Sequence, residues 1–437
     1  MTRSSPLGGR LRQSGIFRAL RHRDYAVFSA GSWVSAVGMW VQRVGIGVLT
    51  WDLTHSPAWL GGIALAQAIP SLVLVPFAGA VADRTDRVRM LRATQIFSAL
   101  VGGVLAWMVI SGAITIYWLA ALVIVLGVAN TIGLPARMTI APTLVPREDL
   151  SAALATNSVL FHSTAFIGPA IGGVLIAQAG IGSAFVVNAA SYLVMWASLF
   201  AVTPLRQEHK AGGGGLMSDV LEGIHYTAAH RGIGPVLLLT VFIAFLGRPV
   251  VELLPGFVDV VFGRDSVEEG VATLFSAFGL GGILASLWLA NRGRIEGMTA
   301  IFLVSSLLIA ATTVAFALAP HYAVAVVMMA VIGASGTVGQ SGAQILVQNA
   351  VDGSMRARVL SLYTLNYRAA PALGALLMGG LSALLGLQTP VVLGACLCAA
   401  ATLWLMRRRH ELRDMLEAGD GDSAPGPAAE AKPSAAL

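Results

Sequence analysis

The chain of 437 residues is 56% apolar and 11% charged, with a mean hydropathy of +0.76, whereas soluble domains are about 45–50% apolar and about 25% charged. That balance argues against a water-soluble enzyme, a nucleic-acid binder or a disordered protein, and the continuous apolar runs argue against an outer-membrane barrel, whose strands alternate. Neither the net charge of +6 nor the adjacent pair Cys396 and Cys398 changes this: the charge needs no nucleic acid, and two cysteines alone build neither a disulfide framework nor a zinc site.

A helix needs about 20 mostly apolar residues to cross about 30 Å of hydrocarbon. Twelve such runs are predicted, at 25–52, 57–82, 90–111, 116–140, 151–179 and 182–203, then at 235–261, 269–290, 299–319, 322–349, 359–385 and 389–406. Placing both termini in the cytoplasm puts nearly all of the 28 basic residues on one side, as topology rules require. The exceptions are Arg264 in an outer loop and Arg43, Arg137, Arg248 and Arg368 within spans. The expected class is therefore an all-α polytopic membrane protein with its basic charge set by topology, attracted also to anionic lipid. The first 24 residues are Arg-rich and polar, so no cleavable signal peptide is expected.

The predicted organisation is a cytoplasmic N-terminal segment (1–24), a six-helix bundle (25–203), a cytoplasmic linker (204–234), a second six-helix bundle (235–406) and a disordered cytoplasmic tail (407–437). The linker holds four consecutive glycines, 212–215, a flexible tether. Val220, Leu221, Ile224 and Ala228 follow at helical spacing and predict a helix at 218–230 on the membrane surface. After about Ala418 the tail is Ala, Gly, Pro, Ser and acid. The halves echo each other, with Gly168-Pro169 in span five and Ala370-Pro371 in span eleven at matching places. Repeated halves point to a transporter that rocks around a central site.

The loop after span two, Gly79-Ala-Val-Ala-Asp83-Arg84-Thr-Asp86-Arg87-Val-Arg89, resembles the signature G-x-x-x-D-R-x-G-R-R/K of the major facilitator superfamily, with Asp86 in place of the usual glycine. The resemblance implies twelve helices in two pseudo-repeat bundles, and a latch made by Gly79, Asp83, Arg84, Arg87 and Arg89 that holds the halves in the outward-facing state. Thr164-x-x-x-Gly168-Pro169-x-x-Gly172-Gly173 is similar to the span-five motif of the superfamily's antiporters, with Thr164 for its first glycine. Leu20-Arg-His-Arg-Asp24-Tyr25, Leu53-Thr-His-Ser-Pro57, Leu134-Pro-Ala-Arg137 and Arg356-Ala-Arg-Val359 resemble the bacterial branch that includes the enterobactin exporter and macrolide-efflux proteins. Where that branch carries an N-x-x-R pattern, this chain has His162 and Ala165.

Ionisable groups inside spans are costly and usually face a polar cavity. Arg43 lies in span one, Arg248 and Glu252 in span seven, and Arg368 near the middle of span eleven. Spans one and seven line the cavity in the resembled family. Arg43, Arg248 and Arg368, with Trp40 and His162, form the expected substrate site for an anionic or amphipathic small molecule. Glu252, four residues after Arg248, would share its helical face. It is either a proton carrier or half of a permanent ion pair within span seven. Arg137 is expected to snorkel or to join the Asp83 cluster.

No G-x-x-x-x-G-K-[ST], nucleophile elbow, H-E-x-x-H or Cys/His cluster occurs, so ATP hydrolysis, enzymatic chemistry, metal and cofactors are not expected. The reading is a monomeric exporter of a siderophore-like or drug-like molecule across the bacterial inner membrane by proton antiport. Its partners would be the substrate, protons and membrane lipids. The alternatives are a lipid or lysolipid flippase, an importer on the same scaffold, and a non-transporting sensor or assembly partner.

Overall fold

The computed structural model describes residues 15–203, 216–353 and 355–417, where every regular element is helical. The first half contains α1 (Arg23–Thr54), α2 (Pro57–Arg84), α3 (Arg87–Ile110), α4 (Ile116–Ile140), α5 (Leu150–Ala179) and α6 (Ile181–Ser198). The second contains α7 (233–261), α8 (Val267–Arg292), α9 (Met298–Ala317), α10 (Tyr322–Ala350), α11 (Arg356–Leu385) and α12 (Gln388–Met406). Eleven of the twelve contain stretches long and apolar enough to cross a membrane. The twelfth, α1, has length to spare at 32 residues but carries Gln42 and Arg43 inside it.

Local chemistry sets the helix ends. Thr115, Asp86 and Ser266 accept hydrogen bonds from the backbone N–H groups of Trp118, Arg89 and Glu269 at the starts of α4, α3 and α8, supplying acceptors those first turns lack. Asp86, the departure from the family signature, is thus a helix cap. The echo between halves extends to the far ends of α5 and α11. Each stops at a glycine with positive φ, Gly180 at +77° and Gly386 at +79°, a backbone that glycine adopts without Cβ strain.

α7 is not the regular span that its sequence predicts. It is α-helical over Ile233–Phe242, a π-turn over Ile243–Gly247, 3-10 over Pro249–Val251, and a second π-turn over Phe257–Val261. Pro249 and Pro255 have no N–H to continue the ladder. Arg248 N–H therefore reaches back five residues to Ile243 O (3.1 Å), and Val251 N–H only three, to Arg248 O (3.1 Å). The change of winding turns Glu252 off the face that Arg248 occupies.

The end that carries Gly15 and Glu417 is called proximal here and the other distal. Distally, one apolar cluster runs through both halves: Val44, Val48 and Trp51 of α1 pack with Leu254, Phe257 and Val258 of α7 and Val271 of α8. Small residues let the helices close on one another. A Cβ on Gly61 would meet the backbone of Ala375, one on Gly379 the backbone of Pro57, and one on Gly279 the backbone of Ala165. Proximally the clusters are separate. Tyr25, Phe28, Leu91 and Ile140 form one in the first half, and Ile233, Met298, Leu346 and Leu416 another in the second.

Short helices trim the proximal end. In the N-terminal one (Gly15–Leu20), Arg18 Nε donates to Asp149 Oδ1 (3.0 Å), and His22 Nε2 shares a hydrogen bond with Asp149 Oδ2 (2.9 Å). The linker helix runs over Leu216–Ala229 and rests on α11. Gly223 packs against Arg358 and Leu362, Glu222 pairs with Arg358 at 3.0 Å, and Tyr226 donates to Asp352 at 3.0 Å. Ile224 is left 48% exposed. The glycine tether lies outside the described residues. The tail corrects the expectation of disorder from residue 407: Arg409–Glu417 is a helix. Its Leu412 and Leu416 are one turn apart, so both insert into the second-half cluster. Glu417 accepts from Gly297 N–H (2.7 Å) and Thr299 N–H (2.8 Å), capping α9. Residues 418–437 lie outside the described set.

Candidate functional site

The intramembrane charges fall into two groups. In the first, Arg43 of α1 donates to Glu252 of α7, an ion pair that joins the two halves. The guanidinium of Arg43 lies 5.3 Å from the centre of the Trp40 ring and 5.9 Å from that of Phe275, which are themselves in edge contact. Arg43 keeps 39% of its side-chain surface exposed and Glu252 23%, so the pair is reachable rather than entombed. Arg43 and Glu252 also line a cavity of about 350 Å³ with Thr50, Gln67 and Pro255. About two turns of α7 further, Asp259 accepts from the Trp51 indole at 2.8 Å, a second polar bridge between the halves.

In the second group, Arg248 lies with its guanidinium 4.4 Å above the Tyr367 ring. Its cavity, about 480 Å³, is lined by α7, α9, α10 and α11 alone. Tyr363, Asn366 and Tyr367, at i, i+3 and i+4, turn one face of α11 into its wall. Tyr363 donates to Gln340 O (2.7 Å), and Asn366 Nδ2 donates to Thr240 Oγ1 (3.0 Å).

Of the predicted substrate-site residues, Arg43 and Trp40 come together, whereas Arg248 lines a separate cavity with Tyr367. The side chains of His162 and Arg368 lie outside the described set, as do those of Asp83 and Arg84 of the latch. Arg89 is exposed. The expectation that Arg248 and Glu252 share a face is corrected: Glu252 is held by Arg43 from the opposite half. Arg137 does not snorkel but donates to Ser32 O of α1 at 2.9 Å; the Asp83 side chain it was expected to join lies outside the described set. The antiporter-motif residues are packing surfaces. Gly168 and Gly172 fit against Trp40 and Val41 of α1, Gly173 fits against Ala272 of α8 across the halves, and Thr164 returns its hydroxyl to Phe161 O at 2.6 Å. Pro169 is buried inside α5. Phe275, Asn366 and Tyr367 were not singled out from the sequence. The spacing of polar residues ahead of Arg368 was the available signal.

Solved structures share this architecture. The nucleoside transporter NupG superposes with a TM-score of 0.68 over 88% of this chain and 98% of that one at 13% identity. A bacterial homologue of the iron transporter ferroportin, in an inward-facing state, gives 0.64 over 90% and 98% at 17% identity. The fold is that of a major facilitator transporter. Within that class the chain belongs to the transmembrane secretion effector family, which it matches over residues 14–432. It is a multi-pass inner-membrane transporter and not an enzyme. Among its curated relatives, the staphyloferrin A transporter of Staphylococcus aureus is 26% identical over 88% of this chain and 97% of that protein. The enterobactin exporter of Shigella boydii is 25% identical over 84% and 86%.

Proposed function

We propose that this transporter exports a small anionic organic molecule, siderophore-like or drug-like, in exchange for protons, with both termini in the cytoplasm. The arrangement is then inward-facing: the distal end is closed and the cargo enters from the proximal side. The Arg43–Glu252 bridge carries the reading. A carboxylate holds a guanidinium only while it is ionised, so a proton on Glu252 releases Arg43. A cargo oxyanion competes for the same guanidinium. One bridge thereby links proton, cargo and closure of the halves. The two relatives named for siderophores support the cargo class, and Arg43 and Arg248 supply the positive charge it would meet.

The test is reconstitution in liposomes with a pH-sensitive dye inside, under an imposed pH gradient, adding siderophores and cationic drugs one at a time. Substrate-dependent proton movement is expected with anionic siderophores. Glu252→Gln is expected to lower it at least tenfold while the protein stays folded, because one proton-transfer step is worth about that much or more. Undiminished proton-driven transport by that variant overturns the antiport reading.

A further inference from the structure

The cavity under Arg248 has a donor–acceptor balance that says more about the cargo than its charge. Four of its hydroxyls have already spent their protons. Thr240 donates to Leu237 O, Ser306 to Phe302 O and Ser335 to Val331 O, each at 2.7 Å, and Tyr363 donates to Gln340 O. A hydroxyl has one proton and two lone pairs, so these groups can offer a ligand lone pairs but not protons. Asn366 goes further. Because the Thr240 hydrogen is committed to Leu237 O, Thr240 can only accept from the Asn366 amide, which fixes Nδ2 toward it. Oδ1 is left with no hydrogen-bond partner and no contact with solvent. A buried acceptor left unpaired is a standing deficit, relieved when the amide turns toward a donor brought in by a ligand.

The strong donor on this wall is Arg248, its guanidinium 4.4 Å over the Tyr367 ring, a planar fork of N–H groups suited to an oxyanion. Arg43, by contrast, is already engaged by Glu252.

We infer that the second half alone carries the specificity pocket, and that it selects a hydroxy acid: a carboxylate for Arg248 together with a hydroxyl or N–H donor for Asn366 and the spent hydroxyls. This rests on the anion-export reading and deepens it. Asn366 is the specificity-determining residue for the donor. The inference places the discriminating contacts in one half, so the first half closes over cargo that the second has already chosen.

The experiment compares two probes that differ by one hydroxyl, mandelate and phenylacetate, binding to the purified full chain by calorimetry. The wild type is expected to bind mandelate about tenfold more tightly, the usual effect of one hydrogen bond to a buried acceptor. Asn366→Leu is expected to bring the two within about twofold by weakening mandelate alone, and Arg248→Gln to weaken both together. Thr240→Val, which frees the amide to turn while keeping the side-chain shape, is expected to shrink the preference and serves if Asn366→Leu does not fold. Equal affinity of the wild type for the two probes overturns the inference without any variant, as does a preference that survives in the folded Asn366→Leu protein. Either result leaves the anion site standing if both probes bind and Arg248→Gln weakens both. Binding of neither probe overturns the anion site together with this inference.

Discussion

The two ends of the molecule are built on different plans. At the distal end an apolar cluster crosses from one half to the other, beside one confined to the first half, and is stitched by Arg43–Glu252 and Trp51–Asp259. At the proximal end each half keeps a cluster of its own, closed by local devices: Arg18 and His22 on Asp149 in the first half, Glu417 on the start of α9 in the second. The distal end is thus a joint between bodies and the proximal end is two finished bodies. Damage to the first should change how the halves move, and damage to the second should change how well one half holds together.

The strongest way to break that distinction is to wedge the joint. Gly379 of α11 meets the backbone of Pro57 at the distal start of α2, which cannot step aside as a side chain would. Gly379→Leu is therefore expected to hold the distal end open, with at least a tenfold loss of transport, as overpacking of about 1–3 kcal/mol or more predicts. Labelling of a cysteine introduced at the distal interface checks it, since an opened joint reacts faster. Next comes the polar stitch. Arg43→Glu or Glu252→Arg alone should each abolish coupling, whereas the swapped pair should restore distal closure in the same labelling assay. Because the pair is partly exposed, its net worth is at most about 1–2 kcal/mol, and the effect should appear in conformation more than in stability.

The proximal bodies give the opposite signature. Leu416 is fully buried in the second-half cluster, so Leu416→Ala should cost about 2–4 kcal/mol of that half's stability and lower the Tm without increasing distal labelling. The smallest effect is a pH dependence. His230 is held below the usual histidine range chiefly by burial, against the opposing pull of Asp352. Its Nδ1 accepts from the N–H groups of Gly232 and Ile233 at the start of α7 (3.1 Å each). A depressed histidine pKa means that the unfolded chain binds the proton more readily, so this contribution is complete above about pH 6.5 and is lost as the pH falls below it. A Tm decrease of roughly 1–2 °C between pH 7 and pH 5, removed in His230→Asn, is expected.

The joint and the bodies also differ in how far they can be read from the chain. The long apolar runs, the repeat of Pro169 and Pro371, and the intramembrane Arg43, Arg248 and Glu252 are all visible in one dimension, because burial in lipid imposes length and charge rules on every residue. The partner of Glu252 is not. Spacing put it beside Arg248, but Pro249 replaces regular helix with π and 3-10 turns, and a register of four then no longer means one face. The motif glycines 168, 172 and 173 were legible as small residues, while the surfaces they meet on α1 and α8 depend on how helices far apart in sequence cross. Tyr367 and Asn366 escaped notice because polar residues in a span announce themselves less than charges do. The helix at Arg409–Glu417 escaped for a different reason: it is short and highly charged, and two leucines, a capping glutamate and a hydrogen bond from Asn349 to Leu416 O tie it to the bundle.

That last attachment bears on how the protein is made. The amide groups at the start of α9 wait for an acceptor that lies 120 residues further along the chain, beyond the final span. While a ribosome is still extending the polypeptide, the second bundle can insert but cannot finish, since Glu417 emerges only after every helix it serves. A message cut short after α12 would yield a product with all its spans in the bilayer and α9 without its Glu417 cap.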